Sequence, residues 1–301
     1  DGNVWKLGDV ISSTPKVLSN TPNNTYHIDY GDTTYYNYLA KPTYRDRSSV
    51  AFVGANDGML HAFRVGYLKD IPDDGSGLLG YFKNFVGDTE SDNDRIGEEM
   101  WGYIPYNAFP YLKYLAYPGY CHIYYNDLSV RLTDASLGTN ADSGHDDPID
   151  PKDEDSWNTI LIGGMRFGGG CNGGLPGPAL GNAGYSAYYA IDITDAENPV
   201  PLWEFSDPDM GFATGFPSII RTGSNTTNGN WYVAFGSGST TMPKSANDLD
   251  RATDGKLYIL DLKTGAIVNK ISLGHDAIVG DVLAIDKDKD YQSEKIYFGT
   301  S

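Results

Sequence analysis

Short stretches in which apolar and polar residues alternate, separated by turns rich in Gly, Asn and Asp, dominate the chain. Residues 49–63 show the pattern of a strand, an Asn-Asp-Gly turn and a second strand. The pattern returns in residues 188–205, around an Asn-Pro turn, and in residues 254–268, where an Asp-Gly turn and a Thr-Gly turn each precede a strand. Shorter strands are predicted at 159–163, 232–236 and 296–299. A helix of three turns is predicted only near 106–117.

Repetition of this unit determines the predicted fold. Three or four short antiparallel strands cannot bury both of their faces alone, so such units must stack as blades around an axis. We therefore predict an all-β protein, a single β-propeller domain over residues 1–301, in preference to a sandwich or barrel. Long insertions between the blades are predicted to be either functional or simply solvated loops, at 88–99, 136–155 and 163–184.

The two ends of the chain suggest how the ring closes. Read head to tail, residues 295–301 followed by residues 1–7 repeat the hairpin pattern of residues 50–63. We expect the strand at residues 4–7 to pair with residues 295–299, which would remove two exposed sheet edges.

Charge excludes several classes of partner. Lys and Arg number 22 against 40 Asp and Glu, a net charge of −18 with a pI near 4.4. This negative field repels phosphate backbones, so nucleic acid is excluded as a partner and cations are favoured as ligands.

No apolar run is long enough to span a bilayer, and the first residues do not form a signal peptide, so we interpret the chain as a mature product or an excised piece. Cys121 and Cys171 could form one disulfide or remain two buried thiols.

One segment carries metal chemistry. Residues 286–294, between two strand-like stretches, place carboxylates at loop positions 1, 3, 5 and 9 and a backbone carbonyl at position 7. Hard oxygen ligands in this number suit Ca²⁺ better than Mg²⁺, and no His or Cys is placed to favour zinc. The candidate ligands are Asp286, Asp288, Asp290, Gln292 and Glu294.

This loop differs from an EF-hand. Position 6 is Tyr291 where that loop needs Gly, position 12 is Tyr297 where it needs Glu, and strands replace the flanking helices. The alternative to a calcium site is a solvated hairpin tip whose charge is offset by Lys287, Lys289 and Lys295. Other acidic strings, at 247–254 and 142–155, have poorer spacing; the first is interpreted as a capped turn.

Enzyme signatures are weak. The sequence has no GxSxG, HExxH or P-loop motif, and the GxGxxG match at 168–173 is followed by Pro and Gly where a helix should begin. His61, in a predicted strand, is interpreted as a packed core residue rather than a base. We predict that the protein is not an enzyme.

Four segments together resemble a known family. Residues 5–15 (WKLGDVISSTP), 52–63 (FVGANDGMLHAF), 97–105 (GEEMWGYIP) and 189–195 (YAIDITD) resemble, in that order, the C-terminal propeller domain of the PilY1/PilC type IV pilus tip adhesins. The resemblance implies a modified quinoprotein-like propeller of about seven blades. It also implies a calcium loop of the form DxDxDxxxD, in which Glu294 stands in place of the last Asp.

The resemblance further implies a function. Members of this family are exported through the periplasm to the pilus tip, contact minor pilins, and act in pilus biogenesis and in adhesion to host or abiotic surfaces. Calcium occupancy in the family opposes pilus retraction, and a variable N-terminal region, absent from this chain, often makes the surface contact. Two alternatives remain: a calcium-dependent quinoprotein dehydrogenase that uses pyrroloquinoline quinone, and an unspecified extracellular binding module.

Overall fold

The computed structural model describes residues 7–68, 85–86, 96–117, 119, 122–138, 147–170, 186–240 and 254–301. The strands in these ranges are β1 (Lys16–Leu18), β2 (Val50–Gly54), β3 (Leu60–Arg64), β4 (Tyr67–Leu68), β5 (Phe85–Val86), β6 (Glu99–Tyr103), β7 (Arg131–Ser136), β8 (Trp157–Gly164), β9 (Tyr188–Asp192), β10 (Val200–Phe205), β11 (Ser218–Thr222), β12 (Asn230–Gly236), β13 (Lys256–Asp261), β14 (Ile267–Ser272), β15 (Val279–Ile285) and β16 (Lys295–Thr300). The helices are α1 (Tyr26–Asp29), α2 (Thr33–Ala40), α3 (Pro42–Arg45) and α4 (Phe109–Leu112), with 3₁₀ turns at Tyr106–Ala108 and Lys113–Ala116.

The strands form antiparallel sheets of the expected size. The first blade has the order β1-β2-β3-β6, the second contains β7 to β10 and the third β11 to β14 in sequential order. Two smaller sheets are the pairs β4-β5 and β15-β16. Within the described ranges the blades do not close a ring, and they number fewer than the seven or so expected. The strand β1 contacts β7, and β11 contacts β15, so the first strands of successive blades are neighbours.

In each of the three repeated units, an Asp side chain stabilises a turn through a local hydrogen bond. An Asp in the turn or at the end of the preceding strand accepts a backbone N–H from two or three residues further on. Asp57 accepts from the nitrogen of Met59 at 3.1 Å, Asp192 from Thr194 at 2.9 Å and Asp261 from Thr264 at 2.8 Å. These short-range bonds explain why the Asx-containing turns could be found from the sequence.

Successive side chains along a strand point to opposite faces of the sheet, so one sheet contributes to two hydrophobic cores. All eight residues of β8 are buried. Leu161 and Tyr189 pack into the core shared with the first blade, whereas Ile160, Ile162 and Tyr188 pack into the core shared with the third. Burying each such side chain contributes about 1.5–3 kcal/mol, so the blades stabilise one another by stacking. Between the third blade and the β15-β16 hairpin lies a further core of Ile220, Ala234, Leu257, Val279 and Val282.

Three short helices between β1 and β2 were not predicted. Asp32 caps α2 by accepting the N–H groups of Thr34 and Tyr35 at 3.0 and 3.1 Å. Tyr35 and Tyr38, three residues apart, place their rings on the buried face of this helix. We refer to residues 26–45 as the helical insert.

A buried carboxylate holds the helical insert against the second blade. Asp134 on β7 is fully buried and accepts hydrogen bonds from the hydroxyls of Tyr35 at 2.6 Å, Tyr44 at 3.3 Å and Thr159 at 2.7 Å. The side-chain amide of Asn23 donates a fourth bond at 3.0 Å. Neutral donors thus replace the water that this carboxylate loses on burial.

The structure corrects the predicted helix and describes only part of the insertions and of the expected ring closure. The helix expected near 106–117 is instead the four-residue α4 between two 3₁₀ turns. The described part of the 136–155 insertion is held in place, because Lys152 N–H donates to the Thr226 carbonyl at 3.1 Å and Asn228 N–H to that of Asp150 at 3.0 Å. Cys121, Cys171, residues 1–6 of the expected closure, residues 87–95 and the end of the GxGxxG match lie outside the described residues. In the described ranges, no helix has the length and apolar character needed to cross a membrane.

His61 is buried on β3, as predicted, but between two carboxylates that the sequence did not reveal. Its side chain is 2% exposed; Nδ1 lies 2.7 Å from Glu99 and Nε2 lies 3.1 Å from Asp57. Burial alone would lower the pKa of His61, but hydrogen bonds to Asp57 and Glu99 outweigh it and raise the pKa above its usual value. The two carboxylates therefore stabilise the imidazolium, which can donate from both nitrogens.

Replacing Asp134 by Ala should lower the free energy of unfolding by about 2–4 kcal/mol, because the hydroxyls of Tyr35, Tyr44 and Thr159 each lose a buried hydrogen bond to its carboxylate. Urea denaturation measures the change. The matched control is Asp46→Ala directly after the insert, since Asp46 forms an exposed pair with Arg45 and its loss should barely move the midpoint. Equal effects of the two substitutions would contradict the role of Asp134.

His61 should make stability depend on pH near neutrality. Because its folded-state pKa is raised, its stabilisation is fully present below the unfolded value of about 6.5 and is lost as the pH rises through the folded value. We expect the wild-type protein to lose more unfolding free energy between about pH 6 and pH 8.5 than His61→Gln does. The exposed His275 supplies the control, since His275→Gln should keep the wild-type profile. Parallel pH profiles for all three proteins would exclude the effect.

Candidate metal centre

The loop that joins β15 to β16 gathers four carboxylates. Oxygen atoms of Asp286, Asp288, Asp290 and Glu294 all lie within 4.8 Å of one another. In the described part of the chain, no other group of three or more His, Cys, Asp or Glu side chains converges in this way. The structure therefore brings together the four predicted carboxylate ligands.

Backbone amides set the shape of this loop. Asp286 accepts the N–H of Lys289 at 2.7 Å and that of Tyr291 at 2.8 Å, while Glu294 accepts the N–H of Lys287 at 2.8 Å. These bonds fold the loop back on itself where the strands end. The first and last acids of the motif therefore also act as structural caps.

Two loop residues have left-handed backbone conformations. Lys289 has φ of 60° and Tyr291 has φ of 77°. The Tyr at loop position 6 therefore has the positive φ for which an EF-hand uses Gly, and that conformation costs a bulky residue on the order of 1–2 kcal/mol. The strain must be offset by contacts of the Tyr291 side chain.

Those contacts are extensive. The Tyr291 side chain is 4% exposed and stacks on Tyr30 with ring centroids 4.0 Å apart. Two cations lie within cation–π distance of its ring: Lys152 Nζ at 4.5 Å and Arg221 Cζ at 4.4 Å. One side chain from the middle of the acidic loop is thus fixed in the core beside the helical insert.

Arg221 ties a second loop to the same place. Its guanidinium donates to the carbonyls of Ser224 at 2.7 Å, Thr227 at 2.8 Å and Tyr291 at 3.3 Å. The carbonyl of Arg221 accepts the N–H of Ser293 at 2.9 Å. The loop carrying the carboxylates is therefore hydrogen-bonded on its buried side to Arg221, which also binds the 224–227 loop.

Gln292 lies beside the cluster. Its amide nitrogen Nε2 donates to Asp290 at 2.9 Å, and its oxygen Oε1 accepts the N–H of Gly223 at 3.4 Å. The side chain thus orients a candidate ligand, while the backbone carbonyl of Gln292 remains a predicted ligand.

The charges of the four acids act on one another. A hydrogen bond with Glu294, together with partial desolvation and the charge of Asp290, raises the pKa of Asp288. The backbone N–H of Lys287 lowers the pKa of Glu294. Of the lysines that could offset this charge, Lys289 reaches Asp29 of the helical insert at 3.5 Å. A dense set of hard oxygen donors without His or Cys matches the preference of Ca²⁺.

The other acidic strings show no such convergence where they are described. Asp254 accepts the Ser272 hydroxyl at 2.5 Å and the N–H of Gly274 at 2.8 Å, so it binds a segment about twenty residues further along the chain. Asp153 caps a turn by accepting the N–H groups of Asp155 and Ser156 at 2.9 and 3.0 Å. Residues 241–253 and 139–146 lie outside the described ranges.

The amino-acid sequence matches one protein family and several of its curated members. The family model described as the PilY1 beta-propeller domain matches residues 7–300. The chain is 27% identical to the type IV pilus biogenesis factor PilY1 of Pseudomonas aeruginosa over 285 residues, covering 89% of this chain and 17% of that protein. A homolog of that factor in Xylella fastidiosa is also 27% identical, over 97% of this chain and 16% of its own length.

A solved structure supports the fold. The crystal structure of the Pseudomonas aeruginosa PilY1 C-terminal domain matches with a TM-score of 0.56 and 23% identity, over 94% of this chain and 43% of that one. The chain thus spans less than half of that structure and about a sixth of its curated relatives. The predicted β-propeller class is confirmed.

Removing the Tyr291 ring should destabilise the protein and release the loop. We expect Tyr291→Ala to cost about 3 kcal/mol or more in unfolding free energy, and to speed amide hydrogen exchange in residues 286–294. Tyr297→Ala on the same hairpin is the control, since Tyr297 is 52% exposed and its loss should have little effect. Unchanged exchange in Tyr291→Ala would show that the ring does not hold the loop.

Proposed function

The chain belongs to the PilY1 β-propeller domain family, and we propose on that basis that it acts in type IV pilus biogenesis as a calcium-binding propeller domain at the pilus tip. The calcium assignment rests on four carboxylates whose oxygens converge within 4.8 Å in one hydrogen-bonded loop. Glu294 replaces the last Asp of the family pattern, yet its carboxylate oxygen still reaches the other three.

The fit to calcium rests on the donor set. Asp286, Asp288, Asp290 and Glu294 would supply carboxylate oxygens, and Gln292 its backbone carbonyl. A bound Ca²⁺ would supply positive charge that neutralises the mutual repulsion of these acids. The acids would then no longer favour a proton on Asp288, and the loop would be held more rigidly.

The buried side of the loop supports a mechanical role. Tyr291 contacts Tyr30 of the helical insert, and Lys289 reaches Asp29 of the same insert. A change in the rigidity of the loop would therefore alter the mobility of the surface that the insert and the loop form together. We propose that this surface engages minor pilins and modulates pilus extension and retraction.

Location and adhesion follow from the same proposal. We place the domain outside the cell at the pilus tip, after export through the periplasm. Attachment to host or abiotic surfaces would involve the variable N-terminal region of such adhesins together with this domain. The proposal gives the domain no catalytic role, and an absorbance band from bound quinone would contradict it in favour of a dehydrogenase.

Asp288→Ala should abolish calcium binding while leaving the fold largely intact, because Asp288 is exposed and lies outside the blade cores. Isothermal titration calorimetry with CaCl₂ measures this. Glu154→Ala, which removes one exposed carboxylate outside the cluster, should keep wild-type affinity. Absence of binding heat for the wild-type protein at millimolar calcium, or wild-type affinity in Asp288→Ala, would refute the site.

The pilus role is tested separately. Purified minor pilins should be retained by the wild-type domain in calcium and less by Asp288→Ala, with Glu154→Ala as control. Cells carrying Asp288→Ala should display fewer surface pili, because the calcium-loaded loop opposes retraction in this proposal. Calcium binding without any effect on pilin capture or piliation would separate the metal site from the pilus role.

A further inference from the structure

Lys152 and Asp32 form an ion pair that is almost completely closed off from solvent. Their side chains are 2% and 4% exposed, and the two residues lie 120 positions apart in the chain. In every other ion pair of the described residues, one partner is 16% exposed or more. The buried pair joins the N-cap of α2, in the helical insert, to the segment that precedes β8.

The two oxygens of the Asp32 carboxylate have different partners. Oδ1 accepts the N–H groups of Thr34 and Tyr35 at 3.0 and 3.1 Å and the Thr34 hydroxyl at 2.7 Å, whereas Oδ2 is bound by Lys152 Nζ. Three donors therefore converge on Oδ1. Donors arranged in this way stabilise the negative charge that develops on an oxygen when a nucleophile adds to the carbon that carries it.

The surroundings of Lys152 make its neutral amine more accessible. Burial lowers the pKa of Lys152 and the positive charge of Arg221 acts in the same direction, while the hydrogen bond to Asp32 opposes both. The rings of Tyr291 and Trp157, whose centroids lie 4.5 and 5.4 Å from Nζ, cover the amine against water. Proton transfer within the pair gives an amine, which is a nucleophile, and a carboxylic acid, and a site without water tolerates these better than two charges.

We propose that Lys152 and Asp32 condense into an intramolecular isopeptide bond. Lys152 Nζ forms a bond to Asp32 Cγ, the bond from Cγ to Oδ2 breaks, and Oδ2 leaves as water. Both protons of that water come from the lysine, because an ammonium with three protons becomes an amide N–H with one. The reaction involves no oxidation or reduction and needs no further reactant. Oδ1 becomes the amide carbonyl oxygen and keeps its three donors.

Folding holds the two reacting groups together for as long as the protein stays folded. An acid and an amine condense slowly in water, but a fixed contact replaces their encounter and corresponds, in well-oriented systems, to an effective concentration of about 10⁵ M or more. Exclusion of water also slows hydrolysis, which is the reverse reaction. The exposed pair of Lys41 and Asp155, with side chains 30% and 53% exposed, lacks this protection from water.

The bond would attach the helical insert covalently to the second blade's side of the molecule. Residues 26–45 could then not separate from the segment before β8 without breaking an amide. Like a disulfide that closes a long loop, the link would lower the conformational entropy of the unfolded chain. Force applied along the backbone would pass through the link and bypass the residues between positions 32 and 152.

Mass spectrometry of the intact, denatured protein tests the proposal. We expect wild-type protein that has been kept folded after purification to be lighter than its sequence mass by one water molecule. A proteolytic digest should contain Lys152 and Asp32 in a single branched peptide. Lys152→Arg, which keeps the positive charge without the primary amine, should have its full sequence mass. The control is Lys41→Arg at the exposed pair, which should still lack one water.

Asp32→Asn identifies the atom that is attacked. Attack on the side-chain amide releases ammonia and gives the same product, so the linked variant and the linked wild-type protein should have equal masses. Two results would overturn the proposal. The first is the full sequence mass in folded wild-type protein. The second is a lost water that the digest assigns to another site, such as a succinimide at the Asp57-Gly58 step, with Lys152 unmodified.

Discussion

The whole architecture depends on the need of each small sheet to cover two apolar faces. In the second blade, β8 is covered on both faces, because the neighbouring residues Leu161 and Ile162 enter different cores. Neither core can form without the adjacent blade. The blades follow one another along the chain, and this order supplies each sheet face with a neighbouring sheet to pack against.

The helical insert extends this packing toward the acidic loop through a chain of contacts. Asp134 of the second blade holds Tyr35, whose ring lies 5.2 Å from that of Tyr26, and Tyr26 lies 5.3 Å from Tyr291. A buried carboxylate and the loop are therefore connected by three aromatic side chains. The acidic loop resembles an exposed hairpin tip only from the solvent side, since its central residue belongs to the interior.

Local signals account for what could be predicted from the sequence. Alternating strands, turns capped by Asp57 or Asp261, and the spacing of the four acids are all encoded within a few residues. The helical insert was missed because helices of four or eight residues are marginal alone. Its stability comes from partners such as Asp134 and Lys152, about a hundred residues away in the chain. The position of Glu99 beside His61, 38 residues away in the chain, depends on long-range packing in the same way.

The register of the β15-β16 hairpin determines how it responds to force. Val279 pairs with Thr300 at one end and Ile285 with Lys295 at the other, so the chain enters and leaves on the same side. Tension transmitted along the backbone would open this pair like a zipper, one hydrogen bond after another from Val279, rather than shearing all of them together. The acidic loop, at the far end, would be the last part of the hairpin to carry load.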